Sequence, residues 1–585
     1  METYELTDAS SRPRQLSNMA PEELPEPQQH DPDLHRRTVR KLDYLLLPFL
    51  ALLFLFNALD KSNIGNAESA HFTRDIGLQK GDLNTAVALF FAFFVALQPV
   101  GAALGRRYGM VLWVPSCMLL WGISTALHVW VRARWQLYTL RILIGCLEAG
   151  FYPVTVTYLS LFYTRFEFGR RLSLFYGQAA VGGALGGLLS FLVFSWFPDK
   201  HGGEDGEKQT QWQSWQVLFL LEGVLTIIVA IIGYFWLPHS AETAWFLTPE
   251  ERQYASQRII WDRLTQSESA TLSPEDQEEE QHEYDEESRG LLNPSRPIHP
   301  KGPTVTHDQG LTPHDVVLAI LSPKIWHLLV VNILSAIPVY AFQVFLPLVL
   351  APLTQTPNPA LVNLMTAPPY VCGAITLYMF ASYSDRHRKR ILPILAGLGL
   401  LLIGLILVVS LPTSKGWAIP RYLALNLLLS GTFIASPLTV AWISGNTPSP
   451  GKRALLLGIN GWGNLAGVIS AFLFKPKYAE SGYIVPFWWT LVSVFVAAAG
   501  YIVFWRKLKA ENDTRSRLLK SWNIEDIERE RTYGRGPLKT GNTWLTVAVG
   551  GLKKSKNFKR TADWLEEAVE GGRQGDERIT FVYGL

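Results

Sequence analysis

Long apolar runs separated by short polar connectors dominate the pattern of this chain. A run of about 20 apolar residues can cross the hydrocarbon core of a bilayer as an α-helix. The pattern predicts twelve such helices, six before a long polar segment and six after it. They lie near residues 44–61, 84–104, 110–130, 135–163, 172–197, 217–237, 325–350, 362–382, 391–411, 422–444, 454–474 and 486–508. The predicted fold class is therefore all-α and integral to the membrane.

Charged residues are concentrated outside these runs, which is why a chain that is 48% hydrophobic and 18% charged still reads as a membrane protein. The predicted organisation is a polar N-terminal tail, a first helical bundle, a linker, a second bundle and a polar C-terminal tail. Their bounds are residues 1–42, 43–237, 238–324, 325–509 and 510–585. Within the linker, residues 274–288 are too acidic to bury a core and are expected to be disordered, as a solvated connection or a regulatory loop.

Basic residues in the connectors predict the orientation. If both termini are cytoplasmic, the short cytoplasmic loops carry 11 Lys and Arg in 30 residues, whereas the opposite loops carry 10 in 73. Because Lys and Arg favour the cytoplasmic side, we expect both termini to lie there. The basic clusters are short and sit at membrane edges, so no nucleic-acid partner is predicted.

Few residues suggest covalent or metal chemistry. Cys117, Cys146 and Cys372 all fall inside apolar runs, without the spacing of a disulfide framework or a metal site. No nucleophile–base arrangement or phosphate-binding glycine loop stands out. We therefore expect neither an enzyme nor a cofactor.

The fourth predicted helix carries charge at membrane depth. Arg141, Gly145 and Glu148 are spaced i, i+4 and i+7, which places them on one helix face. Charged side chains in a membrane face the protein interior or a water-filled pathway, because exposure to lipid costs several kcal/mol. The alternative is a structural ion pair between Arg141 and Glu148.

The first predicted helix also ends in charge, at Asp60 and Lys61. Buried charges of both signs in two helices suggest that a charged molecule crosses the membrane. For this pair, extension of the side chains to the membrane surface is an equal alternative, because both residues lie near the end of the predicted helix.

Gln178 stands in a glycine-rich part of the fifth predicted helix, among Gly177, Gly182, Gly183, Gly186 and Gly187. Glycines at this density favour close helix packing, and an amide left among them can face a cavity and donate to an anion. Packing and anion binding are equal alternatives for this residue.

The connector between the eighth and ninth predicted helices is a compact charged turn, from Ser384 to Arg390, with the sequence SDRHRKR. Its form resembles the loop signature of the major facilitator superfamily. The corresponding turn after the second helix keeps Gly105, Arg106 and Arg107 but lacks the acidic residue. The resemblance implies that Asp385, Arg386 and Arg390 form a gating loop.

Further strings narrow the resemblance to the anion:cation symporter branch, specifically the fungal permeases for allantoate, nicotinate and pantothenate. These strings are RKLD at 40–43, LDKSNIGNA at 59–67, R-x3-G-x2-EAGF-x-P at 141–153, LEG at 221–223 and LTPEER at 247–252. The resemblance covers residues 36–510 and implies two six-helix bundles that rock around a midplane site.

The function implied is proton-coupled uptake of a small organic anion. By resemblance, Asp60 and Glu148 serve proton coupling, and Lys61, Arg141 and Gln178 bind the substrate. Export by proton antiport and a nutrient receptor on a transporter fold are the alternatives. The expected partners are an organic anion, protons and the lipid bilayer, for a monomer in the plasma membrane.

Overall fold

The computed structural model describes most of both helical regions and the extreme C-terminal segment. The described residues are 32–79, 81–159, 161–163, 177–198, 212–259, 319–320, 322–354, 358–387, 389–447, 450–533, 537 and 578–584. The predicted acidic segment at 274–288 lies outside them.

Twelve helices in these residues are long and apolar enough to cross a membrane, which confirms the predicted number. They are numbered here in chain order. The first six are α1 (Asp33–Ser69), α2 (Asp82–Gly105), α3 (Met110–Trp130), α4 (Arg134–Thr155), α5 (Gln178–Trp196) and α6 (Ser214–Trp236). The second six are α7 (Pro323–Pro352), α8 (Pro359–His387), α9 (Ile391–Ser410), α10 (Ala418–Gly445), α11 (Leu455–Leu473) and α12 (Ile484–Lys520).

Helix α1 runs beyond the end that its apolar pattern predicted. Residues 62–69 contain no proline, and their polar side chains Ser62, Asn63 and Asn66 are buried. The apolar run ends because the helix turns polar side chains toward its neighbours, while the helix itself continues. Asp60 and Lys61 consequently lie well inside α1.

Close backbone approach joins α2 to α4. A Cβ atom on Gly145 would lie 2.5 Å from the carbonyl oxygen of Phe90, and Gly101 and Gly150 meet backbone to backbone. Small residues allow this approach in membranes, where packing and hydrogen bonds hold helices together. The contact brings the charged face of α4 toward α1 and α2.

The two halves meet at the end of the bundle opposite the termini. Asn84 of α2 donates to the carbonyl oxygens of Ala471 (2.7 Å) and Phe474 (2.9 Å) at the end of α11. Asn363 of α8 donates to Ser69 Oγ at the end of α1 (2.7 Å). These contacts close the interface between the halves at that end.

A short helix at residues 249–259 follows α6. Thr248 caps its N-terminus: Glu251 Oε2 accepts from the Thr248 backbone N–H (2.9 Å), and Thr248 Oγ1 accepts from the Glu251 N–H (3.4 Å). Lys41 Nζ lies 2.7 Å from Glu251 Oε2. Burial acts to raise the pKa of Glu251, but the bonds from Lys41 and Thr248 outweigh it, so its pKa is lowered.

Gly65→Ala tests the closure between α1 and α7. A Cβ atom on Gly65 would overlap the carbonyl oxygen of Val344, so alanine forces the helices apart. We expect a loss of about 1–3 kcal/mol in stability, measured by thermal unfolding in detergent. Gly399→Ala is the matched control, because a Cβ there meets nothing within 4 Å. Equal stability of the two variants would contradict the contact.

Candidate functional site

Ionisable side chains from four helices of the first half converge inside the bundle. This charge cluster consists of Asp60 and Lys61 of α1, His128 of α3, Arg141 and Glu148 of α4 and Glu222 of α6. Apart from Lys61, whose side chain is 12% exposed, all are buried. Snorkelling of Asp60 and Lys61 to the surface is therefore not observed.

The predicted charged face of α4 is confirmed. Arg141, Gly145 and Glu148 are all buried, and Arg141 and Glu148 are 2% and 1% exposed. Gly145 provides a close contact with α2, so the two charged side chains flank one of the places where the helices approach closely.

Glu148 pairs with α1 instead of with Arg141. Lys61 Nζ lies 3.4 Å from Glu148 Oε2. Asn57 completes the connection: its Oδ1 accepts from Lys61 Nζ (2.7 Å) and its Nδ2 donates to Glu148 Oε2 (2.7 Å). The expected alternative of an Arg141–Glu148 ion pair is wrong, because α1 supplies a cation that reaches Glu148 first.

A second asparagine of α1 makes the same kind of connection for Arg141. Asn63 Oδ1 accepts from Arg141 Nη2 (3.1 Å), and Asn63 Nδ2 donates to Asp60 Oδ1 (2.9 Å). Thr125 also donates to Asp60 Oδ1 (2.6 Å). An amide both donates and accepts, so each asparagine links one cation to one carboxylate.

Arg141 has no close carboxylate. Within the described part of the chain, no Asp or Glu oxygen lies within 4.0 Å of its guanidinium, and its Nε has no hydrogen-bond partner. Arg141 and Lys61 face a small cavity with room for about one water molecule. Apolar residues complete its lining: Ile64, Val87, Phe90, Phe91 and Val344.

Glu222 and His128 belong to the cluster, although sequence reasoning gave neither a role. Glu222 is 3% exposed, lies near Asp60, Asn63 and Arg141, and has no hydrogen-bond partner on either oxygen among the described residues. His128 Nδ1 lies 2.9 Å from the Ser124 carbonyl oxygen and therefore carries a hydrogen. The LEG string signalled Glu222, but its register was undecided without the packing of α6.

His128 donates from Nδ1, and its buried Nε2 has no hydrogen-bond partner among the described residues, as fits a neutral imidazole. The remaining members of the cluster are three carboxyl groups and two cations. Asp60, Glu148 and Glu222 face the two cations Lys61 and Arg141. An uncompensated charge in a low-dielectric interior is costly, so one carboxyl group must carry a proton for the cluster to be neutral. Asp60 and Glu148 also lie near each other within the cluster.

The remaining predicted residues lie elsewhere. Gln178 is the first residue of α5 and is not among the residues lining the cavity. The predicted charged turn begins inside α8, whose last turn contains Ser384, Asp385 and Arg386. Arg390 Nη1 pairs with Asp385 Oδ1 and donates to Ser384 Oγ (3.0 Å), while Arg386 is exposed. The charged turn is thus closed on itself.

Comparison with known proteins identifies the family. The model of the Major Facilitator Superfamily matches residues 50–419. This chain belongs to the major facilitator superfamily. It is a multi-pass membrane transporter and not an enzyme, like the proteins it is similar to.

Two fungal members illustrate the relationship. An uncharacterized transporter of Schizosaccharomyces pombe is 32% identical over 77% of this chain and 78% of its own length. The high-affinity nicotinic acid transporter of Saccharomyces cerevisiae is 27% identical over 84% of this chain and 81% of its own. Among solved structures, the xylose transporter XylE of E. coli in a partially occluded inward-open conformation matches with a TM-score of 0.55 at 14% identity. The match covers 78% of this chain and 96% of the xylose transporter, and it shows that the two proteins share a fold.

A double-mutant cycle tests the pairing inside the cluster. Lys61→Met leaves Glu148 buried without its cation, and we expect a loss of about 3–5 kcal/mol in stability. Adding Glu148→Gln removes the unpaired charge and should recover much of that loss. Arg141→Met combined with Glu148→Gln is the matched control, and its effects should add. Thermal unfolding in detergent gives the stability of the three single variants and the two double variants. If only the double variant with Arg141→Met recovered stability, Glu148 would be paired with Arg141 and not with Lys61.

Proposed function

We propose that this transporter takes up a small organic anion together with protons by alternating access. The observation that carries the proposal is the state of Arg141, a cation at membrane depth that is 2% exposed and has no carboxylate within 4.0 Å among the described residues. A buried cation without a counter-ion is costly, and an anionic substrate would supply the missing charge.

The cavity lining favours a carboxylate attached to a small apolar or aromatic body. A guanidinium presents parallel N–H donors that match a carboxylate, and Lys61 adds a point charge beside it. Phe90 and Phe91 offer ring surfaces on the same cavity. The name of the yeast relative, a high-affinity nicotinic acid transporter, supports a substrate of this class.

The charge balance provides a basis for proton coupling. Without substrate, one proton neutralises the cluster. We assign it to Glu222, because neither of its oxygens accepts a hydrogen bond of good geometry among the described residues and the nearby Asn63 amide donates to Asp60. Asp60 and Glu148, in contrast, both accept well-formed hydrogen bonds. A bound anion adds one negative charge. The Asp60–Glu148 pair then takes a second proton.

The two asparagine connections would couple these events. A substrate carboxylate on Arg141 competes with Asn63, whose other end holds Asp60. An anion near Lys61 likewise competes with Asn57 and Glu148. Anion binding therefore favours protonation, and by linkage protonation favours anion binding to the same extent. One proton per monovalent anion also removes a cost of about 2.3 kcal/mol per 100 mV for moving negative charge into an inside-negative cell.

The remaining features fit this proposal as follows. We propose the plasma membrane as the location, and the Lys and Arg asymmetry of the loops supports cytoplasmic termini. Both halves of one chain line the cavity, which supports a monomer.

Gln178 would meet the substrate on its way along α5. The ion pair between Asp385 and Arg390 would break when the helix ends on that side of the second half move during transport. Arg386 is exposed beside the pair.

Uptake in a permease-deficient fungal strain tests the proposal. Radiolabelled nicotinate, pantothenate, allantoate and dicarboxylates are screened, and the transported compound is then studied in vesicles with an imposed pH gradient. We expect accumulation that rises with an inward proton gradient and collapses with a protonophore. Uptake that is indifferent to the gradient would refute the coupling. Loss of preloaded compound driven by the same gradient would establish export instead.

Glu148→Gln isolates the coupling proton. The amide is nearly isosteric and resembles the protonated acid, so we expect substrate exchange to persist while gradient-driven accumulation is lost. Substrate binding should also lose its pH dependence. Glu222→Gln is the matched control: if Glu222 keeps its proton throughout the cycle, accumulation should remain near the wild-type level. Full accumulation by Glu148→Gln at normal expression would contradict the role assigned to Glu148.

A further inference from the structure

The last described residues of the chain, 578–584, lie against helix ends of the second half. The side-chain amide of Asn512 in α12 forms two hydrogen bonds with the backbone of Tyr583. The Tyr583 N–H donates to Asn512 Oδ1 (3.0 Å), and Asn512 Nδ2 donates to the Tyr583 carbonyl oxygen (3.0 Å). This two-bond match fixes the direction of the segment, as a neighbouring strand would.

The end of α10 binds the next residue in the same manner. The Gly584 N–H donates to Asn446 Oδ1 (2.6 Å), and the Gly584 carbonyl oxygen accepts from Trp442 Nε1 (2.7 Å). Both backbone polar groups of two successive residues are thus matched by side chains of two different helices. A loose tail would leave these groups to water.

The Tyr583 side chain fills a pocket of its own. It is 3% exposed, stacks on Trp442 and accepts a hydrogen bond on its hydroxyl from Lys324 Nζ at the start of α7 (2.6 Å). The ammonium of Lys324 and the guanidinium of Arg515 lie 3.9 Å and 4.8 Å from the ring centroid. Aromatic anchors with cations over the ring are typical of specific recognition.

Upstream contacts extend the same surface. Arg515 Nη1 donates to the carbonyl oxygens of Phe581 (2.8 Å) and Arg578 (3.2 Å). Glu511 holds both cations of the pocket, at 2.9 Å from Lys324 and 2.7 Å from Arg515. Val582, in contrast, is 66% exposed and points away from the surface.

We infer that these helix ends form a peptide-binding groove whose ligand is the chain's own C-terminal segment. The groove is defined by Lys324, Trp442, Asn446, Asn512 and Arg515. It forms hydrogen bonds with the backbone of Tyr583 and Gly584 and holds the tyrosine ring in a pocket. Because its walls come from α7, α10 and α12, the docked segment braces three helix ends of the second half. Residues 534–577 connect it covalently to the rest of the chain.

Binding of a fluorescent peptide tests the inference without any knowledge of the transported substrate, so its outcome is separate from that of the proposed function. The probe is a peptide of residues 576–585, titrated against the purified protein lacking 578–585. We expect saturable binding. Full-length protein should bind at least about 10-fold more weakly, because its tethered segment competes at high effective concentration.

Peptide variants supply the specificity. Tyr583→Ala in the peptide should weaken binding by about 10-fold or more, whereas Val582→Ala, at the exposed position, should stay within about 2-fold. Asn512→Ala in the truncated protein should weaken its binding of the wild-type peptide. Equal binding to the truncated and full-length proteins, or indifference to Tyr583→Ala, would overturn the inference.

Hydrogen exchange on the full-length protein covers the case in which truncation prevents folding. The amides of Tyr583 and Gly584 should be protected in the wild type and in Val582→Ala, and should lose protection in Asn512→Ala. Rapid exchange of both amides in the wild type would refute docking.

Discussion

The site depends on one constraint, the free-energy cost of burying charge in a membrane. The ion pair between Lys61 and Glu148 reduces that cost for Glu148. This pair joins α1 to α4 and satisfies Glu148 without using Arg141. If Glu148 were paired with Arg141, the guanidinium would be occupied and Lys61 would be left unpaired. The choice of partner therefore decides which cation remains for a ligand.

The two asparagines of α1 give the cluster its order. Asn57 connects Lys61 to Glu148, and Asn63 connects Arg141 to Asp60, each by accepting from a cation and donating to a carboxylate. Direct ion pairs would hold their members more tightly. Arg141 can therefore exchange its neutral partner Asn63 for an anion at a smaller cost, because no direct ion pair has to be broken. At Lys61 an anion would also have to displace Glu148.

The two halves contribute differently to the pathway. The first half supplies all the charged residues of the cluster, whereas Val344 of α7 is the cavity-lining residue from the second half. The second half closes the interface at the end opposite the termini, through α7, α8 and α11. Its other end carries the groove that holds the C-terminal segment. The charge cluster and the contacts that close the interface are thus largely separated along the chain.

Sequence alone determined the number of membrane helices and the charged face of α4, because hydropathy and helical periodicity are local properties. Arg141 and Glu148 could be placed on that face by spacing alone. The end of α1 was predicted too early, since buried polar side chains look like a connector until their neighbours are known.

Tertiary packing decided the partners. Whether Glu148 meets Arg141 or Lys61, and whether Glu222 reaches the cluster, depends on helix rotations and on close approaches such as that between Gly145 and Phe90. The docking of Tyr583 depends on helices more than 60 residues away in sequence. A pattern of single residues fixes what each helix presents, but the energy of a buried charge is set by the helix that faces it.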